Sequence, residues 1–120
     1  MKKLYTVYTE YKIEYHEKAF KKKNRTLETD TIRRNEQVVF ASDYAEASKL
    51  YNKWFRDDEY YKIHIKEYWR SYGYSKDVEI VETVVTVKDY KKDLTIKQLS
   101  CQMYAENFRD WWFDGNKNKE

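Results

Sequence analysis

Residues 5 to 16 alternate without a break. Tyr5, Val7, Thr9, Tyr11, Ile13 and Tyr15 fall on one parity, and Thr6, Tyr8, Glu10, Lys12, Glu14 and His16 on the other. A period of two sustained over a dozen residues is the pattern of a half-buried β-strand. The chain must therefore build a sheet around this segment. Its 13 Tyr, 5 Phe and 4 Trp supply apolar surface that argues against disorder, although 38% of residues are charged. At 120 residues one domain is expected, burying roughly two-thirds of the unfolded surface. We place that domain at residues 1–115, with a loose tail over 116–120.

The remaining elements follow from local signals. A basic connection, Lys18 to Asn24, leads to a Thr-rich second strand from about Arg25 to Arg34. Asn35-Glu36 is expected to turn the chain into a short strand, Gln37 to Ala41. Ser42 or Asp43 caps a helix whose apolar stripe is Tyr44, Ala47, Ser48, Tyr51, Trp54 and Phe55. That helix is expected to stop near Asp57-Asp58-Glu59, where three acids oppose the macrodipole. Tyr60 to Tyr72 returns to period two, with Tyr61, Ile63, Ile65 and Trp69 on one side. Gly73 marks a hairpin loop before the β-prone stretch Val78 to Tyr90. The apolar positions of that stretch change parity, through a bulge near Glu82 or because both faces are covered. Thr95 and Gln98 have capping-box spacing, and Leu94 and Leu99 have staple spacing, so a final helix starts there. Its expected stripe is Cys101, Tyr104, Ala105, Phe108, Trp111 and Trp112, ending at Gly115. The fold expected is a two-layer α+β domain in the order βββαββα, with an antiparallel sheet of four to five strands and two helices.

Charge is uneven. Residues 1–25 carry eight Lys or Arg against three Glu, whereas residues 26–59 carry five against eight acids, within a net charge of +3. Such asymmetry bears on partners and steering, not on fold. No apolar run exceeds four residues, so no membrane span is expected, and the N-terminus lacks signal-peptide features. The expected location is the cytoplasm.

Catalytic and metal chemistry finds little support. Cys101 lies on the expected apolar stripe and reads as a buried thiol. His16 and His64 have no ligand spacing, and two glycines cannot supply a phosphate loop. No cofactor is expected. Asp57-Asp58-Glu59 with Lys62, or Glu10 with Lys12, weakly suggests a metal-dependent nuclease.

The outward side of the 60–72 segment carries Tyr60, Lys62, His64, Lys66, Tyr68 and Arg70, alternating cations with rings. Three readings stand: a solvent face, a protein interface rich in hot-spot residues, or a single-strand nucleic-acid platform. Lys21, Lys22, Lys23 and Arg25 would add backbone contacts to the last. Trp111-Trp112-Phe113 places bulky neighbours about 100° apart on a helix, so Trp112 is a candidate partner anchor.

Val38-Val39-Phe40-Ala41-Ser42-Asp43-Tyr44-Ala45-Glu46-Ala47, followed by Tyr60-Tyr61-Lys62-Ile63-His64-Ile65, resembles the small accessory proteins of phages and mobile elements. The resemblance covers about a third of the chain. It implies a stoichiometric, non-enzymatic inhibitor of a host defence factor, such as a CRISPR nuclease or its ribonucleoprotein, acting in the host cytoplasm. The chain departs from the acidic DNA mimics of that class by being net basic, which points to a protein surface or a guide RNA. A small basic nucleic-acid-binding domain is the alternative function, and oligomeric state is open.

Overall fold

A computed structural model of the chain describes residues 1–17, 25–71 and 78–116. Its elements are β1 (Lys3–Glu17), β2 (Arg25–Ala41), α1 (Tyr44–Trp54), α2 (Asp58–Arg70), β3 (Val78–Asp89), α3 (Ile96–Gln102) and α4 (Ala105–Asp110), followed by a π-helical turn, Trp111–Asn116. The strands form an antiparallel sheet in the order β2-β1-β3. The α+β class is as expected. The count and order are not: among the described residues, three strands and four helices replace the four to five strands and two helices of the βββαββα reading. The basic connection 18–24 and the Gly73 loop lie outside the described residues, as do residues 117–120 of the expected tail.

Three local decisions account for the difference. First, residues 60–70 are helical. Asp57 is the N-cap of α2, its carboxylate accepting from the Tyr60 N–H at 3.1 Å. Asp58 and Glu59 sit in the first turn, where the macrodipole favours acids. The acidic run thus opens a new helix instead of closing α1. Second, β2 is continuous through Asn35, which adopts φ 58° in place of a reversal. Asn is among the few non-glycine residues that tolerate the left-handed region. Its Nδ2 donates to the Phe55 carbonyl at 2.7 Å, its Oδ1 accepts from Gln37 Nε2 at 2.9 Å, and its own carbonyl accepts from Tyr51 Oη–H at 2.9 Å. Third, the last helix breaks at Met103, whose backbone is extended (φ −119°, ψ 144°). The capping box at its start is as expected: Thr95 Oγ1 accepts from Gln98 N–H at 3.2 Å, and Gln98 Oε1 from Thr95 N–H at 2.8 Å.

The chain packs as two compact units. The first comprises Met1–Thr9, Asn35–Arg56 and Val85–Glu120; the second comprises Glu10–Arg34 and Asp57–Val84. In the first, Tyr5, Val7, Val39 and Ala41 pack with Ala47 and Tyr51 of α1. Val38 and Phe40, on the other parity of β2, pack with Leu99, Met103 and Trp111. Both faces of the sheet are therefore covered in this unit, which is why Thr6 and Tyr8 are buried as well as Tyr5 and Val7. In the second unit, Tyr11, Ile13 and Val78 pack with Ile65 of α2, while Lys12 is exposed, so alternation here has its ordinary half-buried meaning. The parity change of β3 is real: Val78 and Ile80 serve the second core, Val85 and Val87 the first. On β2 the same change separates Ile32 from Val39, with Asn35 between them.

Buried positions of the C-terminal segment recur every four residues: Leu99, Met103, Asn107 and Trp111. The expected stripe is displaced, and Cys101 is exposed. Asn107 is polar because of what it meets. β2 is an edge strand, and among the described residues Phe40 has no strand neighbour on its outer side. Asn107 Oδ1 accepts from the Phe40 N–H at 2.6 Å, and its Nδ2 donates to the Phe40 carbonyl at 2.9 Å. One side-chain amide thus replaces a missing peptide partner on a buried edge.

Candidate functional site

Helix geometry redistributes the residues expected on one strand face. At 100° per residue, Tyr60, His64 and Tyr68 form one flank of α2, and Lys62 and Lys66 form the other. The buried stripe between them is Tyr61, Ile65 and Trp69. Ile63, expected inward, is 55% exposed. The Tyr60 and His64 rings lie 4.2 Å apart, and His64 Nδ1 is 3.7 Å from Glu67 Oε2. Rings and cations are therefore on opposite flanks, not interleaved. The side chains of Arg70 and Arg25, and the whole of Lys21, Lys22 and Lys23, lie outside the described residues.

Of the acids considered for metal binding, Asp57, Asp58 and Glu10 have structural partners. Asp57 caps α2, Asp58 Oδ1 accepts from Tyr11 Oη–H at 3.3 Å, and Glu10 Oε2 lies 3.6 Å from Arg33 Nε. No group of three His, Cys, Asp or Glu suited to a metal ion occurs among the described residues.

Trp112 is brought into a site of a different kind. With Ile96 of α3, Ala105, Phe108 and Arg109 of α4, and Phe113 of the π-helical turn, it lines a shallow, mostly apolar groove of about 430 Å³ in the first unit. The break at Met103 lies between Ile96 and the other lining residues. On either side of it α3 directs Leu99 and α4 directs Asn107 at β2, while Ile96 (47% exposed) and Phe113 (59% exposed) lie beyond the core. Phe108, Trp111 and Trp112 form one ring cluster with centroids 5.5–6.4 Å apart. Trp111 is buried and fixes the cluster to the core; Trp112 is half-buried beside it. Of the groove residues only Trp112 was among the expected contact residues. The surplus of bulky groups at 111–113 pointed to this end of the chain, whereas nothing in Gln102-Met103-Tyr104 signals the break that recruits Ile96 and Arg109.

A second, polar depression in the same unit is lined by Tyr44, Val87, Lys88, Asp89 and Lys91. Asp89 Oδ1 accepts from Tyr44 Oη–H at 2.9 Å and lies 3.2 Å from Lys3 Nζ. The Tyr44 hydrogen bond, then that of Lys3, holds the Asp89 carboxyl below its ordinary range; the same bonds raise Tyr44 and Lys3.

No family model, curated protein or solved structure matches the chain. No helix among the described residues is long and apolar enough to cross a membrane.

Proposed function

We propose that the protein is a non-enzymatic binding protein that acts through protein–protein contacts, with the groove between Ile96 and Phe113 as its contact surface. The observation that carries this reading is the convergence of Ile96, Phe108, Trp112 and Phe113 around a depression whose walls are held by Trp111 in the core. Exposed apolar patches anchored on a rigid aromatic base are the usual form of a partner site, and Trp is the residue most enriched at its energetic centre. The likeness to phage accessory proteins makes a host defence factor the first partner to seek, with the protein as its stoichiometric inhibitor in the host cytoplasm.

Affinity capture from host lysate tests the reading. The tagged wild type is expected to retain a protein that Phe113→Asp loses, with circular dichroism and Tm unchanged because Phe113 is mostly exposed. Equal capture by both chains would remove the groove from consideration. Titration with single-stranded RNA and DNA at two salt concentrations addresses the nucleic-acid alternative, for which a steep fall of affinity with salt is the expected signature.

A further inference from the structure

The sheet of the first unit has two edges, and the chain treats them differently. On β2, Asn107 takes the place of a missing strand at Phe40. β3 is the other edge, and among the described residues no strand lies beyond it. We propose that the outer edge of β3 and its extension, from Val85 to Lys91, is a second contact surface, separate from the groove. It takes an extended segment of a partner protein as an added strand, with apolar or β-branched side chains at alternate positions.

Backbone direction carries the inference. The Tyr90 N–H donates to the Leu4 carbonyl at 3.2 Å, which sets the register of β3 against β1. Successive residues of a strand send their N–H and C=O to opposite sides. Thr86 and Lys88 therefore bond towards β1 as Tyr90 does, while Val85, Val87 and Asp89 aim theirs away from the sheet. Such a row is a template for another main chain in extended form.

A cleft of about 440 Å³ lies along this row, lined by Tyr44, Val87, Lys88, Asp89 and Lys91. Val87, Lys88 and Asp89 are consecutive, and a sheet face presents only alternate residues, so a cleft lined by all three opens on the edge. None of the residues from Val85 to Asp89 is buried. The devices that close an edge are weak here. The chain has no Pro. The Lys88 ammonium stands over the Tyr8 ring, 5.8 Å from its centroid, on the face opposite Val87. Asp89 is held by Tyr44 and Lys3, so its charge is met within the chain.

The cleft also says what the added strand carries. Val85 and Val87 pack against the first core. Side chains of the added strand on that face extend this layer and meet the Tyr44 ring, which is 53% exposed. Apolar and β-branched neighbours stabilise cross-strand pairs with Val and with aromatic rings. A second copy paired by two-fold symmetry about Lys88 or about Asp89 would set like charges directly opposite. Pairing about Val87 avoids this, so self-association is one outcome of the test.

Amide exchange followed by magnetic resonance on the isotope-labelled full chain tests the proposal. The probe is a blocked synthetic peptide of alternating Val and Thr, ending in Glu for solubility. It is expected to slow exchange at Val85, Val87 and Asp89 about tenfold or more, and at Thr86 and Lys88 by less than about twofold, since these already bond to β1. The same peptide methylated on every amide nitrogen is expected to leave all five unchanged. Val87→Pro removes an outward donor and no bond to β1, and Pro is tolerated at such edge positions. It is expected to fold and to lose the peptide; if it does not fold, the exchange pattern of the wild type decides. Tyr44→Ala is expected to weaken binding with the fold kept. Phe113→Asp is expected to leave peptide binding unchanged, which separates this surface from the groove. No protection at about 1 mM peptide, or protection spread equally over Val85 to Asp89, overturns the proposal. So does undiminished binding of the methylated peptide, or loss of binding in Phe113→Asp. Protection of Val87 and Asp89 that rises with protein concentration in the absence of peptide assigns the edge to a second copy, which also overturns it.

Discussion

Asn107 stands where another strand would otherwise pair with β2. Removing its amide leaves the Phe40 N–H and carbonyl buried without partners, so Asn107→Ala is expected to destabilise the protein by about 2–4 kcal/mol in urea titration. Asn107→Asp keeps an acceptor for the N–H but loses the donor, and is expected to cost nearly as much, since a charge is then buried. Cys101 lies on the opposite flank of its helix and is exposed, so rapid reaction with a thiol reagent in the native state is expected. Asp89 sets a weak pH dependence. Its carboxyl titrates lower in the folded chain than in the unfolded one. The stabilisation is therefore complete above the unfolded pKa and is lost as pH falls through the folded pKa, below about pH 4. The Tm gap between wild type and Asp89→Asn is expected to close in that acid window, measured by thermal scans; a constant gap would place the effect elsewhere.

At the level of elements, α2 offers the sharpest test. Ile65 is buried and Ile63 faces outward, so Ile65→Ala is expected to cost about 2–4 kcal/mol and Ile63→Lys less than about 0.5 kcal/mol. A strand would make the two costs alike. The same pair explains what could be read from the chain. Tyr61, Ile65 and Trp69 are four apart, a spacing that suits both a two-residue and a 3.6-residue period, and only Ile63 separates them. Capping chemistry is the better guide: the Asp43 and Thr95 starts are where their side chains indicate, and Asp57 carries the same signal for α2. Asn35-Glu36 was legible as a turn but not as a point that the strand passes through without reversing, because that outcome rests on Tyr51 and Phe55, far along the chain. The groove was half legible. Trp112 betrays it through excess bulk, whereas Arg109 and Ile96 join it through a backbone break at Met103 that no breaker residue announces. Thr95→Ala, which removes half of a capping box, is expected to cost about 1 kcal/mol by denaturation midpoint.

Across the whole molecule, β1 is the strand with neighbours on both sides. Its amides from Tyr5 to Ile13 are expected to exchange most slowly with solvent, those of β2 and β3 faster on their outer registers; an equal rate in all three would contradict the strand order. Among the described residues the exposed large apolar side chains divide evenly between the units: Met1, Tyr44, Ile96, Tyr104 and Phe113 in the first, and Tyr60, Ile63, Tyr68, Val81 and Val84 in the second. The tryptophans divide in a useful way. Trp54 stacks on Tyr104 at 4.7 Å, Trp111 is in the core and Trp112 lines the groove, all in the first unit, while Trp69 belongs to the second. Intrinsic emission is thus a built-in optical reporter. On the proposed reading, a partner in the groove is expected to change the emission of Trp112 and its ring neighbours, and a chain retaining Trp69 alone supplies a reference channel. The molecule carries its own dye in the lining of that groove.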